Sequence, residues 1–247
     1  MRLPRPLLAL IVALVTLGAV TAYTLALAPR KPVENRDDGP RRVLVCSTTQ
    51  VADFARQVVG DRWQVISILA PGQDPHLYEI RIGDVDKVSQ ADLCLENGWH
   101  LEGKEWMRRL ADGAGKPLVT CADGVEPLIV DEDGVEVHDP HAWFTPRNAS
   151  IYVQNILAGV IARDPANRDE YQARADLYLQ QLDHLHDWIQ RQCERIPAEQ
   201  RILVTSHDAF GYFCREYGFR SAAPAGWSTG DEIGGGATPE RRQAAVL

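Results

Sequence analysis

Asp74-Pro75-His76 and Asp139-Pro140-His141 repeat one tripeptide at two distant points of the chain. A third histidine, His207, follows an apolar run in Ser206-His207-Asp208-Ala209-Phe210. Proline fixes its own φ and restricts the residue ahead of it, so each Asp-Pro-His presents its imidazole from a stiff backbone. A metal ligand gains from that stiffness, because less conformational entropy is lost when the ion binds. One such triplet alone would read as a common turn beside a solvated histidine. Its recurrence, with a third imidazole at a loop position, points instead to a preformed cation site built from His76, His141 and His207. Asp74, Asp139 and Asp208 neighbour these residues and would orient the rings or satisfy loop amides. A role in forming the turns alone competes with that reading.

The elements that must position these loops alternate in type. Apolar runs at 42–47, 64–69, 92–96 and 117–121 read as strands, and 49–60, 82–90 and 99–111 as helices. Strands alternating with helices imply a parallel sheet wrapped by helices, in which ligands bind beyond the carboxyl ends of the strands. His76 falls in such a loop. Residues 123–138 read as an acidic, solvated loop. Thr145-Pro146 signals a helix to about residue 162, and Asp164-Pro165 repeats the signal ahead of the longest element, which must end before Pro197. Its apolar stripe is Tyr171, Ala175, Tyr178, Leu182, Leu185 and Ile189. At about 1.5 Å per residue such a helix reaches roughly 45 Å, enough to bridge two lobes. A coiled-coil seam would need more heptads. His184 and His186 lie two apart on this helix, so their rings face different ways and read as surface residues.

A strand at 201–206 and a helix at 208–217 follow, with His207 at the strand's carboxyl end. The rest reads as loop up to Thr238-Pro239, which caps a helix. The expected fold class is α/β, with two (β/α) lobes of parallel sheet joined by one long helix. The expected division is 1–28 for a signal peptide or membrane anchor, 29–41 for a linker, 42–163 for the amino-terminal metal-binding lobe, 164–197 for the connecting helix and 198–247 for a partial carboxyl-terminal lobe. That last lobe is expected to be incomplete, because a lone strand with a few helices cannot bury a sheet on both faces.

Composition bounds the function. The chain has 247 residues, 45% apolar and 24% charged, with a formal charge of −8, which argues against nucleic acid and is compatible with a cation. Arg2 and Arg5 precede an apolar run over 7–28 ending in Ala26-Leu27-Ala28. This is a secretory signal, or, at that length, an uncleaved anchor. No cysteine precedes Cys46, so the protein is expected to be exported to the periplasm or another extracytoplasmic space and not to be a lipoprotein. Cys46, Cys94 and Cys121 read as buried strand thiols, and Cys193 with Cys214 as a candidate disulfide. No CxxC occurs, which argues against a thiolate zinc site.

At three blocks the chain resembles bacterial solute-binding protein family 9, the zinc and manganese receptors of ABC uptake systems. The first is Gly72-Gln-Asp-Pro-His-Leu-Tyr-Glu79 with Asp84-Val85, Ala91-Asp92, Asn97-Gly98 and Leu101-Glu102. The second is Asp139-Pro-His-Ala-Trp143 with Pro146 and Asn148-Ala149. The third is Ser206-His-Asp-Ala-Phe-Gly-Tyr-Phe213 with Tyr217-Gly218. The resemblance, over residues 42 to about 245, implies two lobes joined by a long helix with the metal between them. It carries ligand roles onto His76, His141 and His207. It also implies a carboxylate as fourth ligand, in a segment expected to be missing here; Asp231 and Glu232 are not assigned that role. Imidazole donors suit zinc, with manganese as the alternative.

The function so implied is non-catalytic: a monomer that captures Zn(II) and delivers it to an ABC permease in the membrane. A zinc hydrolase with an open three-histidine site is the rival, although no His-Glu-x-x-His helix or general base accompanies the histidines. An adhesin-like or anchored surface protein on the same scaffold, with a role in cell adhesion, is the third reading.

Overall fold

The computed structural model describes residues 41–132, 135–205 and 207–222. Four parallel strands, β1 (Arg42–Cys46), β2 (Trp63–Ser67), β3 (Leu93–Glu96) and β4 (Leu118–Thr120), form a sheet in the order β2-β1-β3-β4. Their register pairs Leu44 with Val65 and Leu93, and Leu95 with Val119. The central strands are apolar on both faces, as a sheet covered on both sides requires. Leu44, Cys46, Leu93 and Leu95 point into one core, and Val45 and Cys94 into the other.

The first core is closed by α1 (Thr49–Val59), α4 (Pro146–Arg163) and α5 (Arg168–Glu194), through Phe54, Val58, Tyr152, Ile156, Tyr171 and Leu182. The second is closed by Val88 of α2 (Ile82–Ser89) and by Trp106, Met107 and Leu110 of α3 (Trp106–Gly113). Each fully buried Leu, Ile or Val of this kind stabilises the fold by about 1.5–3 kcal/mol relative to exposure. Trp63 ties the sheet to α5, its Nε1 donating to the Tyr171 hydroxyl at 2.9 Å.

Local signals explain several helix starts. Thr48 and Thr145 cap α1 and α4, their hydroxyls accepting from the amides of Val51 and Asn148. Asp164-Pro165 does not start α5 directly. A short 3₁₀ turn at Pro165–Asn167 intervenes, and Asp164 Oδ2 accepts from Tyr171 Oη and Asn167 Nδ2 in place of capping a backbone amide.

Five expectations need correction. The helix expected over 99–111 begins only at Trp106, since Trp99, His100, Lys104 and Glu105 adopt positive φ. The segment 123–138 is not all loop: β5 (Ile129–Glu132) and β6 (Val135–His138) pair antiparallel. Its alternation was hidden by the run of acids, although Asp133-Gly134 between such strands is a known hairpin signal. After α6 (Gly211–Tyr217), the strand β8 (Arg220–Ala222) pairs parallel with β7 (Ile202–Val204), so β7 is not a lone strand. His186 is buried, and Leu185 is the exposed member of the stripe. The step from Leu182 is four residues, not three. Cys193 and Cys214 are both buried and free, as are Cys46, Cys94 and Cys121, so the disulfide is absent. The expected helix after Thr238-Pro239, the apolar run over 7–28, and Asp231 and Glu232 lie outside the described residues.

Candidate metal-binding site

Three loops converge at one end of the fold. His76 lies in the loop after β2, where the Asp74 carboxylate accepts from the His76 amide at 2.8 Å. Pro75 is held from behind, its carbonyl accepting from Trp106 Nε1 at 2.9 Å. His141 lies between β6 and α4. Asp139 Oδ1 accepts from the His141 amide at 2.9 Å and stands 2.8 Å from Nδ1 of the same ring. A carboxylate only accepts, so Nδ1 carries the proton and Nε2 keeps its lone pair. The loop after β7 brings His207, whose carbonyl accepts from Thr205 Oγ1 at 2.8 Å and from the amide of Ala209 at 3.0 Å.

His141 meets the rings of His76 and His207 edge to face. Nε2 of His141 stands 3.3 Å from Nε2 of His76 and 3.1 Å from Nε2 of His207. All three donor atoms fall within 4.8 Å of one another. Imidazole nitrogens about 2.0–2.1 Å from a common tetrahedral ion stand about 3.3 Å apart, so the arrangement could hold one divalent cation. The site opens into a cavity of about 260 Å³ whose walls include Trp143, Phe144 and Leu101. Apolar walls of this kind would limit water around a bound ion.

Burial sets the charge state. His76 is 6% exposed. Desolvation, reinforced by the neighbouring His141 and His207 rings and opposed by Asp74 and Asp139, lowers its pKa to about 4. It is therefore neutral at pH 7, the form a metal ligand must take. His76 Nδ1 has no hydrogen-bond partner among the described residues.

The structure thus brings together all three histidines read from the sequence. Of the three aspartates, Asp74 satisfies a loop amide, Asp139 binds both an amide and a ring, and Asp208 accepts from Ser221 Oγ at 3.2 Å, tying the His207 loop to β8. Sequence reasoning gave no role to Asn97, Glu102, Gly103, Trp106 or Tyr212, all of which support these loops. Tyr212 accepts from the Leu128 amide at 2.9 Å and donates to the Asp139 carbonyl at 3.1 Å. The signal available for Asn97 and Glu102 was their place in the first block of the family resemblance, which names the residues without a role. His186 lies apart, its Nδ1 3.1 Å from Tyr217 Oη.

The family model of the zinc-uptake complex component A, periplasmic, matches residues 44–245. The chain is 35% identical over 222 residues to the manganese ABC transporter substrate-binding lipoprotein PsaA of Streptococcus pneumoniae, covering 87% of this chain and 70% of that protein. It is 35% identical to the iron-binding protein YfeA of Yersinia pestis over 80% of this chain and 62% of that one. Among solved structures it is similar to the periplasmic zinc-binding protein TroA of Treponema pallidum, with a TM-score of 0.75 and 30% identity over 83% of this chain and 73% of that one. These names correct one expectation. The streptococcal relatives are lipoproteins, so the lack of a cysteine ahead of Cys46 does not support the reading that the protein is not a lipoprotein. No helix among the described residues is long and apolar enough to cross a membrane.

Proposed function

The chain belongs to the family of the periplasmic zinc-uptake complex component A, and from that premise we propose that it is a metal receptor of an ABC uptake system. It would take up Zn(II) through His76, His141 and His207 and hand it to a membrane permease. It is a binding protein and not an enzyme, as the substrate-binding relatives are, and the hydrolase reading falls with that. The observation that carries the proposal is the convergence of three Nε2 atoms from loops that follow three different strands.

Zinc is preferred over manganese and iron on donor chemistry. Three neutral imidazoles are borderline-soft ligands that suit zinc, whereas manganese favours carboxylate and water oxygens. The relatives named for manganese, iron and zinc supply the competing ions. The division that accompanies this reading is 1–28 for targeting or anchoring, 29–41 for a linker, 42–163 for the first lobe, 164–197 for the connecting helix and 198–247 for the second. A monomer suffices, since all three donors come from one chain.

Calorimetric titration of the metal-free chain with Zn(II), Mn(II) and Fe(II) tests the proposal. Saturable binding at one site is expected, tightest for zinc and lost in His141→Ala. Binding that survives His76→Ala and His141→Ala together would place the ion elsewhere, and tighter manganese than zinc binding would reverse the preference.

A further inference from the structure

Between β3 and α3 the chain passes through residues 97–105, the stretch that departs from helix. A buried carboxylate organises it. Glu102 is 2% exposed. Its Oε1 accepts from the Asn97 amide at 2.7 Å and from Ser47 Oγ at 2.5 Å, and its Oε2 from the Gly98 amide at 3.1 Å. Asn97, fully buried and fixed in this way, reaches in two directions. Its Nδ2 donates to the Pro140 carbonyl at 3.0 Å, and its Oδ1 accepts from Tyr152 Oη at 2.7 Å. Pro140 directly precedes His141. At the far end of the same stretch Gly103 lies against His76: a Cβ there would overlap the His76 carbonyl oxygen and stand 2.9 Å from the carbonyl carbon. One short segment therefore touches the backbone beside two of the three imidazoles. The Asn97 amide joins the Pro140 carbonyl to the Tyr152 hydroxyl because it offers a donor to the first and an acceptor to the second.

We propose that Asn97, held by Glu102, is a positioning residue that keeps the His141 loop at a set distance from His76 and so presets the separation of their Nε2 atoms for the incoming ion. The inference rests on the metal-receptor reading above. Loss of the strut leaves every ligand in the chain but lets their spacing drift, so affinity falls by about 10–100-fold, the range seen when outer partners of metal ligands are removed.

The test uses the full chain with Co(II) as a spectroscopic probe of ligand geometry and Zn(II) competed against a chromophoric chelator. Asn97→Asp keeps the size and the acceptor for Tyr152 but removes the donor to Pro140; Tyr152→Phe keeps that donor and removes the other bond. The expected result is a shifted Co(II) visible band and at least tenfold weaker zinc binding in Asn97→Asp, with both readouts near wild type in Tyr152→Phe despite a lower melting temperature. Should Asn97→Asp not fold, Asn97→Ser and Gly103→Ala probe the same strut from its two ends, with the same band shift and loss expected. A wild-type band and zinc affinity within threefold of wild type in any folded Asn97 variant would overturn the inference while leaving the receptor reading intact. Failure of the wild-type chain to bind either ion would overturn both.

Discussion

Replacing Asp139 by alanine perturbs the site without removing a ligand. Asp139 Oδ1 is the acceptor for both the His141 amide and Nδ1, at 2.9 and 2.8 Å, and the residue is 4% exposed. In Asp139→Ala the ring is free to rotate and to take the other tautomer, which would turn a protonated Nε2 toward His76 and His207. Losing an outer partner of a ligating histidine costs about 10–100-fold in metal affinity, or about 1.4–2.8 kcal/mol. The metal-free fold suffers too. Two donors lose a charged acceptor, and hydrogen bonds to charged groups contribute about 1.5–3 kcal/mol each. Taking the lower end of that range for each bond, the fold loses about 3 kcal/mol. The backbone bonds of residue 139, its amide to the Leu128 carbonyl and its carbonyl to Tyr212, survive the change. Asp139→Asn keeps an oxygen for the His141 amide and should fall between alanine and wild type. Chelator competition at pH 7.5 reads the affinity, and urea denaturation without metal reads the stability. Zinc affinity within twofold of wild type in a folded Asp139→Ala protein would refute the argument that this carboxylate sets the tautomer of His141.

Other outcomes follow from the same geometry. Removing a ligand itself, in His76→Ala or His207→Ala, should weaken zinc binding by more than the roughly 100-fold ceiling for an outer partner, as read by calorimetry. The pKa of His76, lowered to about 4 from 6.5, has a sign that can be worked out. The unfolded chain takes up a proton near pH 6.5 while the fold does not, so the metal-free protein loses stability as pH falls through this window, at up to about 1.4 kcal/mol per pH unit. The loss is absent above pH 6.5 and complete below about 4, and a series of urea midpoints should show it reduced in His76→Gln. Trp63→Phe removes one buried hydrogen bond, the one to Tyr171 Oη. It should lower stability by about 1 kcal/mol and leave zinc affinity unchanged in the folded protein, which a thermal melt and a titration will check.

The three histidines were legible because their chemistry is local. Proline stiffens Asp-Pro-His whatever surrounds it, and a strand followed by a loop places His207 by simple alternation. The parallel sheet was legible for a similar reason, since strands buried on both faces read as short apolar runs. What stayed hidden depended on distant partners. Trp99 to Glu105 carries no proline, and its one glycine, Gly103, is by itself a weak helix breaker, yet the Glu102 carboxylate gathers the amides of residues 97 and 98 and bends the chain away from a helix. His186 reads as a polar surface residue until Tyr217 closes over it.

By itself, then, the amino-acid order determined which side chains could bind a cation, their stiff loop settings and the alternating α/β framework. Only the tertiary structure decided that Nε2 of His141 lies within about one coordination edge of its two neighbours. That distance depends on buried polar contacts between residues far apart in the chain, such as Asn97 with Pro140 and Tyr212 with Asp139. Hydrogen bonds of this kind have strict geometry, and no local pattern of residues reports whether their two partners will meet.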